Sequence, residues 1–208
     1  MTKKLNKKDL AQLHYSVDRY KNPEKHITKQ LRDSPFELKS LERGVAHYKN
    51  INTGENIVSL KGTNPKNFKD LRSDVMLGLG LAGADKQFRR RTNQIKDIYR
   101  SNDGDNILIG HSLGGSTALH ALTKNKSIRD NTKQAHLFNS GYSGAFHKEL
   151  KGRLSPEVKK ELDSKITHHI IKGDVISNHL KEQAIGKVKQ YSIDSVNPLD
   201  KHSIKSFD

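Results

Sequence analysis

Residues 106–115 read Asn106-Ile107-Leu108-Ile109-Gly110-His111-Ser112-Leu113-Gly114-Gly115. An apolar run with strand character ends at Gly110, and a stretch rich in small and apolar residues with helix character begins at Leu113. Ser112 stands at the turn between them, with glycine two positions before it and two after. A strand-to-helix turn this sharp strains the backbone of the central residue, and side chains two positions to either side would collide across the turn. The helix start behind Ser112 turns its unpaired N–H groups and positive dipole end toward the hydroxyl. These features suit a serine presented for chemistry. A glycine-rich turn without chemistry and a phosphate-binding loop are the competing readings. A phosphate loop carries more glycine ahead of the helix or a lysine within it, and this stretch has neither.

Upstream of the turn, Leu10, Leu13 and Val17 fall at helical spacing within residues 7–20, while residues 21–40 read as polar loop around Pro23 and Pro35. Val45–Lys49 and Asn56–Leu60 read as a hairpin around Asn52, Thr53 and Gly54. Asp85–Arg100 places Phe88, Ile95, Ile98 and Tyr99 on one helix face, with Arg89, Arg90, Arg91 and Lys96 on the remainder. Downstream, Leu113–Lys124 reads as helix and Gln134–Asn139, Thr167–Lys172 and Lys187–Ile193 as strands. Phe146–Ser164 reads as helical, with Ser155 as N-cap and Pro156 at a first helical position. Alternating strands and helices predict an α/β architecture, a mainly parallel sheet flanked by helices. One domain over residues 1–208 is expected, with 1–8 as a flexible basic tail.

Composition narrows the function. With 208 residues and no cysteine, thiolate metal sites and cysteine nucleophiles are excluded. Lys plus Arg exceeds Asp plus Glu by 38 − 23 = 15, which favours anionic partners. Arg89, Arg90 and Arg91 are the best feature for nucleic acid, but no nucleic-acid-binding motif accompanies them, and that partner is disfavoured. No apolar run reaches the ~18–20 residues of a membrane span. The basic start is followed by polar sequence rather than by the apolar core of a secretion signal. A cytosolic location is therefore expected, with a viral particle as a second setting.

Gly110-His111-Ser112-Leu113-Gly114-Gly115 resembles the serine motif of the fungal-type (class 3) lipases, which belong to the α/β-hydrolase fold. Ile57-Val58-Ser59-Leu60-Lys61-Gly62-Thr63, followed by Asp74, resembles that family's strand, basic-Gly-Thr turn and aspartate. Ile170-Ile171-Lys172-Gly173-Asp174-Val175 resembles its strand ending in Asp-x-Val, and His202 matches its near-terminal histidine. The resemblance covers about Gly44 to Phe207. It departs at Lys61, where the family has arginine, and at Asn139-Ser140-Gly141, where Gly-Ser-Pro is expected. The chain is also short for the family, which implies trimmed loops.

The resemblance implies a compact α/β-hydrolase fold and a Ser-Asp-His order along the chain. A serine hydroxyl needs a histidine to take its proton, and that histidine needs a carboxylate to fix its tautomer. Of Asp130, Asp163, Asp174, Asp194, Asp200 and Asp208, only Asp174 directly follows an apolar strand; Asp194 is the runner-up. His136, His168 and His169 lie in strands, and His120 faces away on the helix. His202, on a loop begun by Asn197 and Pro198 after the last strand, is the expected base, with His179 as the cramped alternative. His111 reads as a packing and hydrogen-bonding residue, and Ser143 as a decoy lacking the second glycine. The oxyanion hole takes the Leu113 N–H, and by resemblance the Thr63 N–H as well.

The implied activity is hydrolysis of lipid carboxylic esters, of triacylglycerol lipase or phospholipase type, through an acyl-enzyme. This chemistry needs no cofactor and no metal. An anionic membrane surface is the expected peripheral partner. Val75–Gly83 is an apolar segment that reads either as a flap over the serine or as a buried helix. The alternative function is an inactive protein of the same fold with a binding or structural role.

Overall fold

The computed structural model describes residues 7–18, 31, 34–62, 82–141, 144–174, 177 and 184–207. In chain order the elements are α1 (Lys7–Asp18), β1 (Phe36–Glu42), β2 (Val45–Asn50), β3 (Asn56–Leu60), α2 (Ala82–Ser101) and β4 (Asn106–His111). There follow α3 (Leu113–Lys124), α4 (Lys126–Asn131), β5 (Thr132–Phe138), α5 (Gly144–Arg153), α6 (Pro156–Lys165), β6 (Ile166–Ile171), β7 (Lys187–Tyr191), α7 (Pro198–His202) and a 3₁₀ turn at Ile204–Phe207.

The strands form one sheet in the spatial order β1-β2-β3-β4-β5-β6-β7. β1, β2 and β3 pair antiparallel, and every pairing from β3 to β7 is parallel. The chain thus has the expected α/β fold, a mainly parallel sheet flanked by helices. Parallel neighbours reached in one direction by right-handed crossovers place the crossover helices on one face. Ile95 of α2, Leu119 of α3, Ile128 of α4, Leu150 of α5 and Leu162 of α6 accordingly share one core with Val58, Leu108 and Ile170. Successive strand side chains alternate faces, so Ile57, Ile107 and Ile109 point the other way. There they meet Leu10 and Leu13 of α1 with Phe138, Ile204 and Phe207. Cover on both sides leaves every residue of β3 and β4 buried and explains their mainly apolar centres.

Several expectations change. Phe36–Glu42, expected as loop up to Ser40, is an edge strand; only Phe36 is buried, and the register shifts between Leu38 and Ser40, so its sequence lacks a buried strand's pattern. Lys7 and Lys8 belong to α1 rather than to a flexible tail, and the Lys7 ammonium sits 4.6 Å from the centre of the Tyr191 ring. The helical stretch expected over Phe146–Ser164 divides, at the Ser155 cap the sequence predicts, into α5 and α6. The second begins at Pro156, with the Ser155 hydroxyl accepting the Val158 N–H, because proline opens a helix readily and continues one poorly. Arg91, expected on the solvated face of α2, is only 4% exposed, and its Nη1 donates to the Lys61 carbonyl over 2.7 Å. Residues 75–81 of the apolar segment lie outside the described residues, and Ala82 and Gly83 open α2. Among the described residues no helix is long and apolar enough to cross a membrane.

Candidate active site

β4 ends at His111, and Ser112 turns the chain into α3 with φ 52° and ψ −122°. A side chain does not adopt that backbone without strain. The turn is braced by the Ser112 N–H, which donates to the Phe138 carbonyl at 3.0 Å. The flanking glycines are spatial necessities. A Cβ on Gly110 would lie 2.5 Å from the Gly114 carbonyl oxygen, and one on Gly114 would lie 2.0 Å from the Leu60 oxygen. Strand β3 and its exit are therefore pressed directly onto the turn.

Two hydrogen bonds run outward from Ser112. Its Oγ lies 2.9 Å from His202 Nε2, and His202 Nδ1 lies 2.8 Å from Asp174 Oδ1. An ionised carboxylate only accepts, so Nδ1 carries the ring proton and Nε2 accepts from the serine hydroxyl. All three side chains are buried. Burial alone would raise the Asp174 pKa. The hydrogen bond and charge of His202, with hydrogen bonds from Ser177, outweigh it and hold the carboxyl below its ordinary value. Ser177 gives Asp174 Oδ2 its backbone N–H at 2.8 Å and a short hydroxyl contact. Asp174 follows β6 by way of Gly173, whose φ of +81° turns the chain out of the sheet. His202 does not lie on a loop: it ends the short helix α7. Asn197 caps that helix by accepting the Leu199 N–H, and Pro198 opens it.

Asp194 lies exposed beyond β7. His168 is buried in β6, where its Nε2 donates to the Ile185 carbonyl and its Nδ1 accepts from Ser140 Oγ. His136 and His169 are bonded to each other at 3.0 Å. His120 lies on α3 with its ring against Phe88. Leu113 opens α3 directly after the serine. Thr63, His179 and Ser143 lie outside the described residues. Gly62, the residue before Thr63, passes over the turn: a Cβ there would be 2.7 Å from the His111 oxygen and 3.2 Å from Ser112 Cβ. Sequence reasoning missed the support given by Ser177, Asn139 and Arg91. The unexpected Asn139 at a strand end was the one available signal. Among the described residues no cluster of His, Cys, Asp and Glu could hold a metal ion.

No family model matches this chain, and no curated protein matches it. Among solved structures, a crystal structure of a mutant form of MDLA from Penicillium cyclopium is similar over 93% of this chain and 83% of that one. The TM-score is 0.51 at 14% sequence identity, a likeness that speaks to the fold alone.

Proposed function

We propose that this chain is a serine hydrolase of carboxylic esters, of the fungal-type lipase kind within the α/β-hydrolase fold, acting on lipid esters. The observation that carries the reading is the hydrogen-bonded line from Ser112 Oγ through the His202 ring to Asp174 at the apex of a strained strand-to-helix turn.

In this reading Ser112 Oγ attacks the ester carbonyl while His202 Nε2 takes its proton. The imidazolium so formed is stabilised by Asp174, which stays ionised. The oxyanion meets the Leu113 N–H at the start of α3 and a second donor from the chain after Gly62, for which Thr63 is the candidate. Collapse of the intermediate breaks the C–O bond. His202 returns its proton to the leaving alcohol, and the acyl group stays on Ser112. Water then attacks with His202 as base, releasing the acid and restoring the hydroxyl. Lipid as substrate class is supported by the net charge of +15, which draws the protein to anionic phospholipid, and by the apolar residues 75–83 close in sequence to the candidate oxyanion loop.

The test is labelling with an alkyl fluorophosphonate and mapping of the adduct. Modification of Ser112 alone is expected, together with hydrolysis of p-nitrophenyl esters and lipid vesicles. A folded protein that takes no label leaves a fold without this chemistry, used for binding or structure.

A further inference from the structure

Asn139 closes β5, is fully buried, and stands at φ 40° in the left-handed region. Its backbone N–H donates to the His169 carbonyl at 2.9 Å. Its side-chain amide reaches two other segments. Nδ2 donates at 2.8 Å to the carbonyl of Lys201, the residue before His202. Oδ1 accepts at 3.0 Å from the N–H of Ile171, the last residue of β6 and three before Asp174. Ser177 Oγ lies 3.3 Å from the same Oδ1 and closer to Asp174 Oδ2. Its single proton goes to the carboxylate, the stronger acceptor.

Both groups that Asn139 satisfies are orphans of secondary structure. The Lys201 carbonyl lies in the last turn of a five-residue helix, where carbonyls have no partner within the helix. The Ile171 N–H lies at the end of β6, beyond the register in which β5 pairs with it. One planar amide supplies the donor for the first and the acceptor for the second. A carboxylate has no donor, and an aliphatic side chain has neither. The amide therefore sets the separation between the helix that carries His202 and the strand end that carries Asp174.

We infer that Asn139 is a positioning residue for the Ser112–His202–Asp174 line, fixing base and acid relative to each other through the Lys201 carbonyl and the Ile171 N–H. The inference rests on the serine-hydrolase reading above. It gives the departure at Asn139-Ser140-Gly141 a role in this chain.

The test compares Asn139→Gly, which keeps the left-handed backbone and loses both arms, with Asn139→Asp, which is isosteric, keeps the acceptor and turns a carboxylate oxygen toward the Lys201 carbonyl in place of the donor. For each, kcat and KM for p-nitrophenyl butyrate and the fluorophosphonate labelling rate are measured per folded molecule, the folded fraction coming from circular dichroism. Asn139→Gly is expected to lower kcat and labelling by about 10²-fold, the scale of an ångström's misplacement, with KM little changed. Asn139→Asp, which repels the Lys201 carbonyl, should lower both as well with KM little changed, and it decides the question if the glycine variant does not fold. Variants that unfold at lower temperature yet keep the wild-type kcat and labelling rate, or that change KM alone, overturn the inference. A wild-type protein that neither labels nor hydrolyses overturns the serine-hydrolase reading itself, and the inference falls with it.

Discussion

The imidazole Nε2 of His111 donates to the main-chain carbonyl of His202 across 2.7 Å, so the residue ahead of the serine grips the residue bonded to that serine. The two rings lie 5.1 Å apart. With the Asn139 amide on the Lys201 carbonyl, consecutive carbonyls at the end of α7 are tied to the ends of adjacent strands β4 and β5. A short helix with one good cap is thereby fixed at its other end.

Removing that grip has a measurable consequence. His111→Ala removes the ring donor from a buried carbonyl, which costs about 1–3 kcal/mol of stability by urea unfolding. In the same variant, kcat for a soluble p-nitrophenyl ester should fall by about 10–10²-fold as His202 loses its placement. An unchanged kcat would confine His111 to packing.

The backbone of Ser112 predicts an inversion of the usual glycine penalty. Ser112→Ala keeps a Cβ in the strained conformation, and Ser112→Gly removes it. The glycine variant should be the more stable by about 1–3 kcal/mol, the strain held in such a conformation. Each kcal/mol corresponds to about 2–4 °C in thermal midpoint at this size. Both variants should lose about 10³–10⁶-fold in kcat. Equal midpoints would mean that the turn carries no strain.

Acid should loosen the fold before it titrates Asp174. Burial lowers the pKa of His168 to about 4, with the Ile185 hydrogen bond opposing it weakly, and burial and Lys189 lower His136 to about 4. Between about pH 6.5 and pH 4 the unfolded chain binds protons that these native imidazoles refuse. Stability therefore falls on acidification through that window, by up to about 1.4 kcal/mol per pH unit for each such histidine. Burial with the neighbouring charges holds His169 lower still, at about 2, so its share of the fall continues below pH 4. The Asp174 pKa is depressed, so its contribution is present above the ordinary carboxyl range and is lost only as pH falls through the lowered value. Urea midpoints at pH 7, 5.5 and 4.5 check this, and His168→Asn should flatten the slope.

The arginine run should divide in two. Arg89 and Arg90 are exposed, while Arg91 is buried on the Lys61 carbonyl. Replacing Arg89 and Arg90 together with alanine should reduce hydrolysis of anionic vesicles at 0.01 M salt and spare a soluble ester. The difference should fade toward 0.15 M, where the Debye length falls from about 30 Å to about 8 Å. Arg91→Ala should instead cost about 1.5–3 kcal/mol of stability, the worth of a hydrogen bond from a charged group. Vesicle activity that ignores both salt and the double substitution would leave the charge without a docking role.

What could be read in the sequence was local in the chain. Ser112 was legible because Gly110 and Gly114 mark a turn that tolerates nothing larger, and Asp174 because Gly173 ends an apolar strand. The helix carrying His202 was not legible, because Asn197 and Pro198 read equally as the start of a loop, and only five residues follow the cap in helical form. Phe36–Glu42 was not legible, because an edge strand with one buried residue has no face to reveal. The support from Asn139 and Arg91 was hidden for another reason. Their partners lie 62, 32 and 30 positions away and are main-chain carbonyls and an N–H, groups that no motif records.

The contact between Ser112 and His202 spans 90 positions, whereas sheet neighbours are chain neighbours. From β3 onward each new strand docks beside the one before it, closing loops whose entropy grows only slowly with length. A chain emerging from the ribosome amino-terminus first thus exposes its serine turn while α7 is still unmade. Until that helix is made the Ser112 hydroxyl lacks its His202 partner, so the interior strands are synthesised before the hydrogen-bonded line across them can close.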